Sequence, residues 1–349
     1  MIQSSQSQNR VSVIILNWNG LAYLQRYLPS VVAHTDPAMA DVIVADNGST
    51  DGSVAWLKQA MPQVQVFEFA ENHGFAEGYN IAVDRVDTEY VVLLNSDVEV
   101  TPGWLDAPIA YMEKHPRVAA CQPKILQAAD HGRFEFAGAC GGFIDYLGYP
   151  FCRGRIMDTL ETDSGQYDTV VPVFWATGAC LIIRQDDYVD YGGLDPRFFA
   201  HQEEIDLCWR LWSRGREVVV VPQSKVFHVG GGTLNKENPR KTYLNFRNNL
   251  LMLYKNLPFG KLLWLMPVRF VLDWTAALSF LLQGHPHDFL AVVRARWSYH
   301  RMKAQMRASR RQNREVSLVD RIPTVYPHSI LVQSMLLGRR QYSRLASGK

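Results

Sequence analysis

Tyr90-Val-Val-Leu-Leu94 runs without a break into Asn95-Ser96-Asp97, an apolar stretch followed at once by a polar cluster. The pattern recurs upstream. Val11-Ser-Val-Ile-Ile-Leu16 leads into Asn17-Trp18-Asn19-Gly20, and Asp41-Val-Ile-Val-Ala45 leads into Asp46-Asn47-Gly48-Ser49-Thr50-Asp51. Helical periodicity fills the intervals over Leu21 to Ala33, Gly52 to Ala60 and Phe75 to Val86, while Gln63 to Phe69 alternates as a further strand. Strands that are apolar on nearly every residue are buried on both faces. Their alternation with helices predicts an α/β fold with a mostly parallel central sheet flanked by helices. Ligands of such sheets bind outside the carboxyl ends of the strands, where all three polar clusters fall.

Downstream the pattern loosens. Gly132 to Val171 is rich in glycine and aromatics, which predicts loops and short antiparallel strands. Gly178 to Ile183 reads as a strand, Glu203 to Arg214 as a helix and Glu217 to Val221 as a strand. Ser224 to Arg240, with Gly230-Gly231-Gly232, reads as a mobile loop. Leu262 to Leu282 is strongly apolar but contains Pro267, Arg269 and Asp273. Charges at the centre of a spanning helix are costly, so a helix lying on a membrane or packed on the protein is expected rather than a span. Arg294 to Arg314 carries eight basic residues and no acid, which fits either a solvated helix face or an anionic membrane surface.

A chain of 349 residues, 47% hydrophobic, buries one large core or two smaller ones. Its net charge of +2 gives no reason to expect a nucleic-acid partner. Five scattered cysteines, none in a C-x-x-C pair, suggest neither a disulfide framework nor a zinc site, and point to a reducing cytosol. Met1 to Arg10 is polar and reads as a frayed, disordered terminus without a signal peptide.

The polar clusters suggest chemistry, each against a plainer reading. Asp97 at a strand end suits a divalent cation that bridges the phosphates of a nucleotide, although Asn, Ser and Asp also favour turns and helix caps. Asp46 is placed to accept hydrogen bonds from a base or ribose, whereas Ser49 and Asp51 suit a helix cap. In Asn72-His73-Gly74-Phe75-Ala76-Glu77-Gly78-Tyr79-Asn80 the small residues let backbone approach a ligand, while Asn72 and Asn80 fix either the loop or a nucleoside. Glu203 and Glu204 favour a helix start, and Asp206 pairs with Arg210 at i,i+4.

Val13-Ile-Ile-Leu-Asn-Trp-Asn-Gly20, Val44-Ala-Asp-Asn-Gly-Ser-Thr-Asp-Gly-Ser53, Asn72-His-Gly-Phe-Ala-Glu-Gly-Tyr-Asn80 and Leu93-Leu-Asn-Ser-Asp97 resemble the successive motifs of the family 2 glycosyltransferases, above all the rhamnosyltransferase-like branch. The resemblance spans about Val11 to Pro258. It implies a GT-A nucleotide-diphospho-sugar transferase fold over residues 11–257, with a nucleotide-binding half (11–100), an acceptor-binding half (101–257) and a C-terminal helical segment (258–349). The family's D-x-D reads Asn95-Ser96-Asp97 here, leaving Asp97 as its metal carboxylate, with His228 as the second ligand of Mg2+ or Mn2+. The resemblance further implies nucleotide-sugar contacts from Asn17, Asp46, Asn47, Asn72, Gly74, Asn80, Asn95 and Arg247, although Arg247 would equally pack a helix end. Trp175, Thr177, Gly178 and Asp206 fall in its acceptor-side segments. Glu204, with Glu203 second, stands where the family keeps the base of an inverting displacement. The expected partners are a dTDP- or UDP-sugar, with rhamnose the sugar that the branch implies, and a glycan or lipid-linked saccharide acceptor. The expected location is cytoplasmic, with peripheral contact at the inner face of the membrane. Two competing readings remain: a nucleotide-sugar-binding or scaffold protein without catalysis, motivated by Asn95 and Glu204, and a nucleotidyltransferase. The latter calls for a basic phosphate loop after the first strand, and Asn17 to Leu21 carries no Lys or Arg.

Overall fold

Consecutive residues of the Tyr90–Leu94 run point into two different cores. Val91 and Leu93 join one buried cluster and Val92 and Leu94 the other, as the two-residue period of a strand buried on both faces requires. The structure, a computed structural model, describes residues 9–230, 238–319 and 321–345. Its first half follows the predicted order: β1 (Val11–Asn17), α1 (Leu21–His34), β2 (Ala40–Asp46), α2 (Ser53–Ala60), β3 (Gln65–Glu68), α3 (Gly74–Val83) and β4 (Tyr90–Asn95). A short β5 (Val98–Val100) comes directly after Asp97, then α4 (Asp106–Lys114) and β6 (Val118–Gln127). Small strands follow: β7 (Gly142–Asp145), β8 (Pro150–Cys152), β9 (Arg155–Ile156), β10 (Thr159–Leu160) and β11 (Val171–Pro172). The remainder comprises β12 (Cys180–Arg184), α5 (Gln185–Asp190), α6 (Glu203–Ser213), β13 (Glu217–His228), α7 (Pro239–Asn256), α8 (Phe259–Leu282), α9 (Pro286–Met302), α10 (Arg307–Glu315) and β14 (Val325–Tyr326).

The main sheet runs β11-β13-β6-β12-β4-β1-β2-β3, with β5 added on β13. β4, β1, β2 and β3 are parallel, as predicted, and β6 and β13 are parallel to each other. β12 is antiparallel to both β4 and β6, so the sheet is mixed. An apolar run reports burial on two faces but carries no strand direction, which is why its composition matched that of the parallel strands. Helices α1, α2 and α4 cover one face through Leu24, Leu28, Leu57, Ile109 and Met112; α3, α6 and α7 cover the other through Tyr79, Leu207 and Leu250.

Three sequence expectations change. The strand beginning at Glu217 does not stop at Val221: it passes a register shift between Val221 and Lys225 and continues to His228, so Ser224 to His228 is strand rather than loop. The expected loop also ends early, since α7 starts at Pro239 with Asn238 accepting from the Arg240 N–H as cap; residues 231–237 lie outside the described residues. Arg10 is fixed by ion pairs of 2.5 Å to Glu89 and to Glu113, whereas residues 1–8 lie outside the described residues. The C-terminal segment is not purely helical, for β14 adds in parallel to β7 in a second sheet. Ile330 packs there on Phe151 and Ile156, and its N–H donates to Asp145 Oδ2 at 2.9 Å.

Candidate active site

Pairing of β5 with β13 brings the predicted metal residues together. Val98 sits opposite His228, and the Val229 N–H donates to the Asp97 carbonyl, so residues far apart in sequence meet at two strand ends. His228 Nε2 lies 3.1 Å from Asp97 Oδ1, with both side chains buried. Asn95 Nδ2 stands 3.5 Å from the same nitrogen. On the far side of the imidazole, Nδ1 lies 3.5 Å from Glu135 Oε1. Burial pushes His228 down, but the hydrogen bonds to Asp97 and Glu135 outweigh it and hold the imidazole up at about 10. Glu135 was not legible in the sequence: it lies in the aperiodic stretch after Gly132 and belongs to no motif.

At the strand ends of the nucleotide half, side chains bind one another. Asp46 accepts from Asn17 Nδ2 and from the Ser49 N–H, both at 2.9 Å, while Asn17 Oδ1 is buried with no partner among the described residues. Asn47 and Asn72 form a clamp: Asn47 Nδ2 donates to Asn72 Oδ1 and to the Gly74 carbonyl, and Asn47 Oδ1 accepts from the His73 N–H. Asp51 accepts from the Leu21 N–H and from Ser53, as a cap residue does. Gly74 has φ +79°, and a Cβ there would come within 3.2 Å of the Phe199 ring, so glycine is required at this crossing of α3 with the turn before α6. Asn80 is corrected from nucleoside contact to brace. Its amide donates to the Leu194 carbonyl and, at 3.5 Å, to Glu77, and its oxygen accepts from the Leu194 N–H and the Tyr188 hydroxyl, so both ends of the amide are engaged within the fold.

The acceptor-side residues divide in the same way. Ala179 O accepts from the Asn95 N–H, and Gly178 faces Phe75, so the segment that contains Thr177 and Gly178 joins the Asn95 end of β4 to the start of α3. Trp175 is a packing residue: its indole N–H donates to the Phe143 carbonyl, and the ring presses so close to Gly142 that a Cβ there would stand 2.0 Å away. Thr177 is buried, its Oγ1 accepting from the Ala179 N–H. Asp206 is engaged within the protein. It is wholly buried and accepts from Arg210 Nε (2.9 Å), Lys255 Nζ (2.7 Å) and Asn256 Nδ2 (2.7 Å). Arg247 donates to the Phe198 carbonyl and to Asn248, both at 2.8 Å.

What Arg247 and Asn248 hold is a strained turn. Phe199, His201 and Gln202 have φ of 68°, 70° and 76°, a left-handed run of non-glycine residues that feeds directly into α6. Each such residue costs on the order of 1–3 kcal/mol and clusters of them mark functional sites. Asn248 Nδ2 donates to the Phe198, Ala200 and His201 carbonyls, fixing the turn. Immediately after it, Glu203 Oε2 and Glu204 Oε2 are buried without a partner among the described residues, as is His201 Nε2. Burial pushes Glu204 up to about 7 and Glu203 well above the carboxylate range, the Glu204 charge adding to the rise at Glu203. Burial, with the Lys241 charge, pushes His201 down to about 4, so its ring is neutral.

Residues 12–136 match the family described as glycosyl transferase family 2. The chain is 26% identical over 289 residues to N-acetylglucosaminyl-diphospho-decaprenol L-rhamnosyltransferase of Mycobacterium tuberculosis, covering 78% of this chain and 91% of that protein. It is 26% identical over 227 residues to rhamnosyltransferase WbbL of Escherichia coli K12, covering 62% and 83%. Among solved structures, residues 1–349 of S. aureus TarS in complex with UDP-GlcNAc superpose with a TM-score of 0.53 at 16% identity, over 97% of this chain and 95% of that one. GalNAc-T7 with UDP, GalNAc and Mn2+ superposes with a TM-score of 0.55 at 16% identity, over 90% and 58%. Motif order, sheet topology and sequence likeness thus agree: the chain is an enzyme of the transferase class with a GT-A fold, its residues 12–136 match glycosyl transferase family 2, and its sequence is similar to those of rhamnosyltransferases.

Proposed function

We propose that the enzyme is an inverting transferase that moves rhamnose from a dTDP-sugar, or a hexose from a UDP-sugar, to a hydroxyl of a lipid-linked saccharide. The carrying observation is Glu204, a carboxyl at the start of α6 with one buried oxygen unpaired and a proton affinity raised to about 7 by burial. Such a group is about half ionised at neutral pH and basic enough to take a proton. In the displacement Glu204 accepts the hydrogen of the acceptor O–H. The oxygen bonds to the anomeric carbon from the face opposite the diphosphate, and the C–O bond to the diphosphate breaks with its electron pair leaving on the nucleotide. Glu203, more deeply buried and kept protonated, is a hydrogen-bond donor beside it. Asp46 and Asn17 offer the remaining acceptor positions on the nucleoside side.

The donor set near β5 would suit Mg2+ or Mn2+ once the ion displaces the proton that Asp97 and Glu135 otherwise hold on His228: one carboxylate, one imidazole nitrogen 3.1 Å from it, and Glu135 behind to orient the ring. A divalent ion held by Asp97 and His228 would supply neutralisation of charge on the departing diphosphate. The names of the two rhamnosyltransferases support the sugar, that of the mycobacterial relative supports the lipid-linked acceptor, and five unpaired thiols accord with a cytosolic enzyme.

The test is turnover of dTDP-rhamnose and UDP-sugars by the purified chain with manganese, with magnesium and after chelation. Turnover is expected only with metal. Glu204→Gln is expected to retain donor binding by calorimetry and to lose turnover by about two to four orders of magnitude. Unchanged turnover removes Glu204 from the role, and donor binding without product across acceptors favours a binding protein instead.

A further inference from the structure

Helix α8 is the one described helix long and apolar enough to cross a membrane, yet it is built to lie flat. Its two sides differ. Leu262, Leu265, Arg269, Asp273 and Ala277 recur at helical spacing and are buried, against the catalytic domain and α9. Phe259, Leu263, Val271 (64% exposed), Leu278 and Leu282 (89%) recur on the opposite side and face solvent. The buried side is not merely greasy. Arg269 donates to the Leu147 carbonyl at 3.1 Å and to Asn249 Oδ1 at 2.6 Å, and Asp273 accepts from Arg296 of α9 at 2.6 Å. Spanning a bilayer would tear these charges from their partners and place them in hydrocarbon.

Helix α9 continues the outward surface. Leu290, Arg294, Trp297 (57% exposed) and Arg301 lie along one side, with the Arg301 guanidinium 3.5 Å above the Trp297 ring. The two stripes adjoin, because Trp274 of α8 meets Phe289 and Phe270 carries Arg296, the neighbours of Leu290 and Trp297. Lys261, Arg307 and Arg311 are also exposed along this C-terminal segment. An apolar stripe bordered by cations and tryptophan suits the headgroup zone of an anionic bilayer. It suits a second copy of the chain poorly, since a two-fold contact would set cation against cation.

We infer that the exposed faces of α8 and α9 form a monotopic docking surface for anionic phospholipid, with α8 lying parallel to the membrane plane. The hairpin also reaches the site: Asp288 in the first turn of α9 accepts from Thr242 of α7, and Arg240 of α7 stands 5.0 Å over the Phe199 ring in the turn before Glu203 and Glu204. Delivery of an acceptor from the bilayer rests on the proposed reaction; lipid binding does not.

The experiment is co-sedimentation of the full chain with vesicles of phosphatidylcholine alone or with one quarter phosphatidylglycerol. Binding is expected to the anionic vesicles and to weaken with salt. The double variant Val271→Asp, Leu278→Asp, altered only at exposed positions, is expected to lose at least about tenfold in partitioning with an unchanged melting temperature. Arg294→Glu with Arg301→Glu is expected to abolish the preference for the anionic vesicles. A fluorophore on Val271→Cys, the native thiols being buried, is expected to be quenched more by shallow than by deep lipid quenchers. Failure to bind, binding indifferent to both double variants, or deep quenching at mid-helix overturns the inference. So does a dimer in solution that the Asp variants dissociate without any vesicle binding. None of these outcomes bears on soluble donor turnover, so the reaction and the docking surface fail separately.

Discussion

At the scale of single residues, the proposed chemistry turns on carboxyls whose surroundings disagree with their charge. Glu204 is held at about 7 against an ordinary value of 4.5, chiefly by burial. A carboxyl that binds its proton more tightly when folded costs the fold nothing below about pH 4.5, where it is protonated in both states. The cost grows as pH climbs towards 7 and is complete above it. Glu204→Gln is therefore expected to leave the melting temperature unchanged at pH 4 and to raise it by a few degrees at pH 8, read by scanning calorimetry at both. Donor turnover by the native chain should rise through the same interval, since only the ionised carboxylate takes a proton. Asp97 and His228 were nameable from motif alone, and the structure brings them together. Glu135 was not, because a lone acid in an aperiodic stretch carries no spacing by which its partner can be found.

At the scale of elements, strand composition and helix period told where chain is buried but not how it is aimed. The apolar runs at Val11 and Tyr90 became β1 and β4, and the acidic start at Glu203 became the first turn of α6. The direction of β12 and the reach of β13 depended on partners remote in sequence. Pro222 and Ser224 look like terminators, yet the register shift beside them lets β13 resume its ladder on β6 as far as His228. Helix α6 shows the same dependence. Its aim is set by Asp206, whose carboxylate takes Arg210 from its own helix and Lys255 and Asn256 from α7, while Lys255 also reaches Asp195 at 2.6 Å. Breaking one member of a buried network leaves the others charged and unpaired. Asp206→Ala is expected to cost about 3–5 kcal/mol in urea unfolding. Asp206→Asn is expected to lower kcat with little change in donor KM, because it disturbs the start of α6 rather than the nucleotide side.

Across the whole molecule, two polar networks join the catalytic domain to the C-terminal helices. One is the Asp206–Lys255 cluster, whose Asn256 accepts from Asn313 of α10 at 2.9 Å; the other is Arg269, Asp273 and Arg296, which ties α8 and α9 to each other and to Asn249 of α7. Asp273→Leu, which strands two buried guanidinium groups, is expected to cost about 3–5 kcal/mol. It should also open the α8–α9 connection to limited proteolysis, read as cleavage near Gly284 while the sheet core survives. The left-handed residues Phe199, His201 and Gln202 point to a different consequence. Glycine at such positions relieves backbone strain but also frees the hinge that presents Glu203 and Glu204. Breeding this enzyme for heat resistance alone would therefore reward the very exchanges that blunt it, and its hardiest descendants would be its slowest.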